Sequence, residues 1–297
     1  EGLFGYARAP VCVETDAGTA PAEIWRPDDA APGTADAWDF DAWQARHAPL
    51  ARLAAEEAMA LRGDRPAGET SARWHQIRAR AQARLNAARS APTTLRRRTE
   101  PGEVRIEARR VCYAAFFSVE EYDLRHPLFS GGVSGVVRRA AFVSADAVTV
   151  LPYDPARDRT MVIEQLRAGP LARGDPQPWS IEAIAGRIDP GETPEETGRR
   201  EAQEEAGLTV GRMIPVAGYY PTPGEKSEFL HSFIGLADLP DAAAGLGGVA
   251  HENEDIRAHV IGFDRLMELV GTGEANNAPL ILSALALDRR RAELRRG

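Results

Sequence analysis

Between Gly186 and Leu208 the chain reads GRIDPGETPEETGRREAQEEAGL, and its glutamates recur at spacings that suit chemistry better than packing. Glu201, Glu204 and Glu205 stand at i, i+3 and i+4, which on a helix sets three carboxylates on one face. Thr193 suits an N-cap, Pro194 the first helical position, and Glu196 the reciprocal partner of a capping box. Gly207 suits a left-handed stop, so the pattern predicts one helix over 194–206, about three and a half turns long. Like charges at this spacing repel, and a helix gains nothing from crowding them. A hard divalent cation reverses the sign, because Mg2+ is held by carboxylate oxygens, waters and substrate phosphates. A solvated acidic face is the usual fate of such a run. The two glycines and Arg200, at set distances from the acids, tip the reading to metal binding.

The elements that must position this helix lie on both sides of it. Residues 104–111 alternate like an edge strand, and 147–152 and 160–165 are apolar, β-branched runs split by a turn at 154–158. Residues 179–185 lead as a strand into the glutamate-rich stretch, and 213–220, 229–236 and 256–263 fit further strands. Leu280, Leu282, Leu285 and Leu287 mark a final helix over about 278–295. Strands around one central helix, closed by a C-terminal helix, imply an α/β (α+β) fold with a mixed sheet between helices.

At 297 residues the chain is long enough for two domains. A formal net charge of −8 argues against bulk attraction to nucleic acid or anionic membrane. Arginine dominates the cations, with Lys226 the single lysine, a bias of composition rather than chemistry. Cys12 and Cys112 lack metal-type spacing and read as free thiols in a reducing, cytoplasmic setting. No apolar run reaches bilayer length and no signal peptide is visible. The chain opens on Glu1, which leaves room for preceding sequence.

Residues 1–100 differ in texture and read as a separate, smaller α+β module. Two strands around a turn, over 11–15 and 22–25, precede a Pro/Gly/Asp-rich loop and two helices, over about 37–62 and 70–90. Pro49 should break or kink the first helix. Trp74, Ile77, Ala81 and Leu85 give the second an apolar stripe, and its arginines read as a solvated outer face.

The stretch 186–208 fills all seven fixed and both apolar positions of the Nudix box, and so resembles a Nudix hydrolase. Such a resemblance implies an α/β/α sandwich. It extends over about 103–290, where LRHPLFSGGVSGVVRR, PYDPARDRTMVIEQLRAG and HENEDIRAHVI look like stretches of bacterial ADP-ribose pyrophosphatases. Pro223, fifteen residues past the box, matches a proline that marks this subfamily and shapes its substrate pocket. The domains implied are therefore 1–100 and 103–297.

By resemblance, Glu201, Glu204, Glu205, Glu254 and the carbonyl of Ala185 hold Mg2+ or Mn2+, and Glu192 pairs with Arg200 to brace the box. Glu252 matches the catalytic base, acting with Glu201 and Glu205. Arg167 matches an arginine that grips the diphosphate, a task suited to bidentate guanidinium. Glu182 and Arg139 match substrate contacts, Arg139 reaching across from a partner subunit of a homodimer. The implied reaction is hydrolysis of ADP-ribose to AMP and ribose 5-phosphate. Two alternatives stay open: a pyrophosphatase for another nucleoside diphosphate sugar such as GDP-mannose, and a non-hydrolytic ADP-ribose sensor.

The run 140–146 departs from the Glu-Arg-Gly-His-like stretch common in relatives, which bears on adenine binding and the dimer contact. The first 25 residues resemble the C-terminal part of gamma-glutamylcyclotransferase-like domains, whose catalytic front half is not in this chain. They are expected to dock or support rather than catalyse. A similar two-part arrangement occurs in proteins named for tellurite resistance.

Overall fold

The computed structural model describes residues 6–15, 18–27, 39–63, 65–89, 91–248 and 254–296. By internal contacts the chain divides into two units, Glu1–Arg139 and Ala140–Gly297.

In the first unit, β1 (Tyr6–Thr15) and β2 (Gly18–Pro27) form an antiparallel hairpin. Helix α1 (Phe40–Ala60) starts where the Asp39 carboxylate accepts the Ala42 N–H at 3.0 Å. Of the break or kink expected at Pro49, the break is absent: the helix continues through it. Proline removes the N–H that would bond the carbonyl of Ala45, and both residues are exposed, so water can take that acceptor. The second expected helix is instead two, α2 (Ala67–Ala72) and α3 (Trp74–Ala87), separated at Arg73. Ala54, Ile77 and Ala81 form the buried seam of this part, with Leu50, Leu53, Ala58 and Trp74 against it. The arginines of α3 are not all solvated: Arg80 is 2% exposed and its Nε donates to Glu57 at 2.8 Å. Strands β3 (Arg105–Ala114) and β4 (Ser118–Arg125) pair antiparallel, and β5 (Val137–Val143), which begins in this unit and runs past its end at Arg139, is the third strand of their sheet. Glu120, fully buried on β4, accepts from Arg84, Arg109 and Tyr122.

The second unit is built on a forked sheet. Strands β6 (Ala147–Asp154) and β7 (Arg159–Leu166) pair only at their turn end, Tyr153 with Thr160 and Asp154 with Arg159. They then splay. After α4 (Ala168–Arg173), β8 (Trp179–Glu182) pairs with β7, and β9 (Ile184–Arg187) pairs with β6. The single strand expected over 179–185 thus breaks at Ala183, where the chain crosses the fork. Helix α5 (Pro194–Ala206), with the bounds read from the sequence, follows. Strands β10 (Met213–Tyr219) and β11 (Leu230–Leu236) extend one side, β11 running parallel to β6. Strands β12 (Gly245–Gly247) and β13 (Ile256–Gly262) extend the other, before α6 (Phe263–Thr272) and α7 (Ala278–Leu294).

Alternation along the strands sends apolar side chains to both faces. Val148, Val150, Met161, Ile163 and Ile256 meet Ala202 of α5 on one face. Leu151, Tyr153, Val162 and Ile234 meet Leu266, Leu269, Leu280 and Leu287 of α6 and α7 on the other. The result is an α/β/α sandwich, as expected. Its α7 is tied to the β6–β7 turn by Asp158, which holds φ at +57°. Asp158 accepts from Tyr153 (2.8 Å), from Arg291 through Nε (2.9 Å) and Nη2, and from Arg295 (2.6 Å).

Arg291 holds the Asp158 carboxyl below the usual range, with burial opposing. A depressed pKa makes the stabilisation present above the unfolded value and lost as pH falls through the folded one. Asn tolerates the left-handed backbone, so Asp158→Asn isolates the charge. It should destabilise the second unit by about 2 kcal/mol at pH 7, with the gap to wild type narrowing as pH drops below about 4. Urea melts at the two pH values check this; a gap that is constant with pH removes the charge from the account.

Candidate active site

The box begins on β9. From Ile184 to Arg187 this strand lies beside β6, and the Ile188 N–H donates to the Asp146 carbonyl at 3.0 Å, steering the chain off the sheet. Gly191 turns it at φ +99°, where a side chain would be strained. The Thr193 hydroxyl accepts the Glu196 N–H at 3.3 Å, and the Glu196 carboxylate accepts the Thr193 N–H at 2.8 Å. That completes the expected capping box. At the far end Gly207 adopts φ +60° and the Leu208 N–H reaches the Ala202 carbonyl at 2.9 Å.

Two glycines set how closely α5 approaches the sheet. A Cβ on Gly198 would stand 2.8 Å from both Met213 and Val150. A Cβ on Gly186 would stand 1.9 Å from the Glu201 carboxyl group, so this glycine is the floor on which Glu201 rests. Gly198 is a position that sequence reading did not single out; a small residue on the apolar side of an otherwise bulky helix is the signal that marks it.

The three glutamates differ in setting. Glu205 is 2% exposed and accepts the Ala185 N–H at 3.2 Å. Burial, with the neighbouring charges of Glu201 and Glu254, pushes its carboxyl up to about 9. Glu201 is raised to about 7, again chiefly by burial. Glu204 sits at the rim. Arg200 gathers the group: Nε and Nη2 fork onto Glu192 at 3.1 Å each, while Nη1 donates to Glu201 and Glu204 at 2.8 Å each. Burial opposes the charge of Arg200, yet these carboxylates hold its pKa above the ordinary value. The expected Glu192–Arg200 brace is present. Among the described residues, no three His, Cys, Asp or Glu side chains form a ready cation cage.

Arg167, just past the end of β7, reaches back along β8 to Glu182. Arg167 Nε and Nη2 reach the two Glu182 oxygens at 2.9 Å each. Among the described residues Nη1 of Arg167 has no hydrogen-bond partner. Burial opposes this guanidinium's charge too, and Glu182, Glu205 and Glu254 raise its pKa. Glu254 lies against the end of β12, where a Cβ on Gly248 would stand 2.8 Å from its carbonyl oxygen, and a Cβ on Gly247 would stand 1.9 Å from the Glu205 carbonyl oxygen of α5. The Gly248 N–H then donates to the Glu204 carbonyl at 3.4 Å.

The fold thus collects Ala185, Glu201, Glu204, Glu205, Glu254, Arg167 and Glu182 at one end of α5. Glu252, with His251 and Asn253, lies outside the described residues. Pro223 occupies an exposed turn after β10, where the Thr222 carbonyl accepts from Glu225 (3.0 Å) and Lys226 (2.9 Å). Arg139 belongs to the first unit, is exposed, and donates to the Arg138 carbonyl at 2.8 Å.

An all-oxygen donor set, one carboxylate deeply buried and one laid against glycine, fits a hard divalent cation such as Mg2+ or Mn2+. A buried carboxyl that resists ionising alone gains most from a dication beside it.

Comparison with known proteins gives four findings. The family model for the NUDIX domain matches residues 143–282. The ADP-ribose pyrophosphatase of Escherichia coli (strain K12) is 41% identical over 181 residues, 61% of this chain and 86% of that protein. The GDP-mannose pyrophosphatase of Enterobacter sp. (strain 638) is 30% identical over 145 residues, 49% of this chain and 74% of that protein. Among solved structures, one described as the crystal structure of an ADP compounds hydrolase superposes with a TM-score of 0.51 at 16% identity. It covers 67% of this chain and the whole of that one, and supports the fold alone.

Proposed function

The chain belongs to the Nudix family, and from that premise we propose that it hydrolyses the diphosphate of ADP-ribose, giving AMP and ribose 5-phosphate. The observation that carries this is the 41% identity spanning 86% of an ADP-ribose pyrophosphatase. A match of 181 residues ending no later than residue 297 must begin at or before residue 117. That supports a catalytic domain starting near 103, with residues 1–100 as an added module that docks or supports.

Glu201, Glu204, Glu205, Glu254 and the Ala185 carbonyl would hold the divalent cation. Bound there, it supplies charge stabilisation at the phosphoryl oxygens and eases ionisation of water. The chain's own groups do the rest. Arg167, fixed through two nitrogens by Glu182, presents Nη1 to the diphosphate and orients it. Glu182 acts chiefly by holding that arginine. Glu252 takes the proton of the attacking water. Attack at one phosphorus expels the other phosphate in line. Pro223 shapes the pocket wall, and the partner subunit's Arg139 completes substrate binding in a homodimer. Among the described residues no helix is long and apolar enough to cross a membrane.

Arg167→Ala should raise KM roughly ten- to a hundredfold, the worth of one or two charge-assisted hydrogen bonds, with a smaller fall in kcat. Steady-state kinetics on ADP-ribose check it; an unchanged KM would take Arg167 off the diphosphate.

GDP-mannose hydrolysis is the second reading, favoured by the 30% relative but over a shorter span. Product formation from ADP-ribose, GDP-mannose, ADP-glucose and NADH with Mg2+ decides between them. Fastest AMP release from ADP-ribose supports the first, and faster turnover of another sugar nucleotide keeps the chemistry but changes the substrate. ADP-ribose binding without product from any of the four supports a sensor.

A further inference from the structure

We propose that Arg200 is the counter-ion of the acidic face of α5, and that a divalent cation enters by displacing it from Glu201 and Glu204. The inference rests on the reading above that these glutamates hold the cation.

A guanidinium has five N–H donors, and all five of Arg200 are engaged. Nε meets Glu192 Oε1 at 3.1 Å, and Nη2 meets Glu192 Oε2 at 3.1 Å and the Arg187 carbonyl at 3.3 Å. The two protons of Nη1 go to Glu201 Oε1 and Glu204 Oε2, each at 2.8 Å. One nitrogen therefore bridges two acids that repel at i and i+3. Those are oxygens a cation needs, and no cage of three carboxylates stands open beside them among the described residues.

The engagement is divided. The Nε–Nη2 edge is anchored on Glu192 and on backbone, neither of which a cation at Glu201 and Glu204 would claim. The Nη1 edge is anchored only on the two acids the cation would take. Loading the site thus breaks one edge of the guanidinium and leaves the other pinned, so its positive charge stays near the incoming dication. Arg200 steadies the acidic face and competes with a cation for it. The site then loads best when substrate phosphates add negative charge.

Removing the charge should tighten the site's hold on metal, the opposite of what loss of a structural brace does. Mn2+ titration of the full chain without substrate, followed by electron paramagnetic resonance, reads this directly. Arg200→Gln should bind Mn2+ roughly tenfold more tightly than wild type, while its metal-free Tm falls and its Mn2+-induced Tm gain grows. Arg200→Lys, which keeps the charge, should show no such tightening. Glu192→Gln should bind Mn2+ more weakly, since the guanidinium then leans harder on Glu201 and Glu204.

Mn2+ binding by Arg200→Gln equal to or weaker than wild type overturns the proposal. If that variant does not fold, Glu192→Gln decides alone, and unchanged or tighter binding there overturns it. Wild-type chain whose Mn2+ binding survives Glu205→Gln undiminished instead overturns the site assignment, and this inference with it.

Discussion

Glu205→Gln is expected to lower kcat for ADP-ribose on the order of a hundred- to a thousandfold at saturating Mg2+, with little change in KM. Three features single out this carboxylate. It is the most buried acid of the box helix, it is tied to the strand that carries Ala185, and Glu201 and Glu254 crowd it with like charge. Glutamine has the same shape and its amide oxygen can still accept the Ala185 N–H, so packing of α5 on the sheet survives. The loss should therefore appear in the transition state and not in folding. A fall in kcat and kcat/KM by the same factor would mark an interaction made only there. The control is thermal: the variant should melt within a few degrees of wild type, a margin of about 1 kcal/mol. A variant that keeps kcat within a few-fold of wild type would remove Glu205 from the metal set. A variant that loses activity together with its fold would leave the box helix, not its chemistry, as the explanation.

How much of this could be read from the chain alone follows from how local each signal is. Helix α5 was legible to the residue because its cap, first-turn proline and glycine stop all act within one or two turns. The strands of the second unit were legible because their apolar runs are long and bounded by turns. The breaks were not: α2 and α3 share one continuous pattern, and the gap at Ala183 exists because the chain passes from β7 to β6 across a fork. That is a tertiary event with no local mark. The Arg167–Glu182 fork depends on how β8 folds back on β7 across α4, and the approach of Glu254 to the box on contacts some fifty residues apart, so resemblance could nominate those residues but not join them. The solvated reading of α3 failed for a similar reason. Charge alone does not tell whether a partner waits across a seam, and Glu57 lies 23 residues away on another helix.

That buried pair carries the largest expected effect on stability. Side chains of Arg80 and Glu57 are 2% and 4% exposed, and Arg80 also donates to the carbonyls of Phe116 (3.3 Å) and Ala115 (3.5 Å). Arg80→Met keeps the apolar stem but leaves the Glu57 carboxylate buried, with Arg84 at 3.9 Å as the remaining cation. Breaking a buried pair from one side costs about 3–5 kcal/mol, because the surviving charge is uncompensated. Hydrogen exchange over α1 and α3, compared with the strands of the second unit, should show protection lost by that amount in the first unit only. The double change Arg80→Met with Glu57→Leu separates two explanations. If the cost is the stranded charge, the double variant recovers most of it, since a well-packed apolar pair of similar volume is often no worse than an ion pair. If the cost is instead the two carbonyls at Ala115 and Phe116, the double variant stays as unprotected as the single one. Arg80 would then matter as the tie between α3 and the β3–β4 turn. Protection equal to wild type in the single variant would show that the pair contributes nothing, and would return α3 to the outer face first read for it.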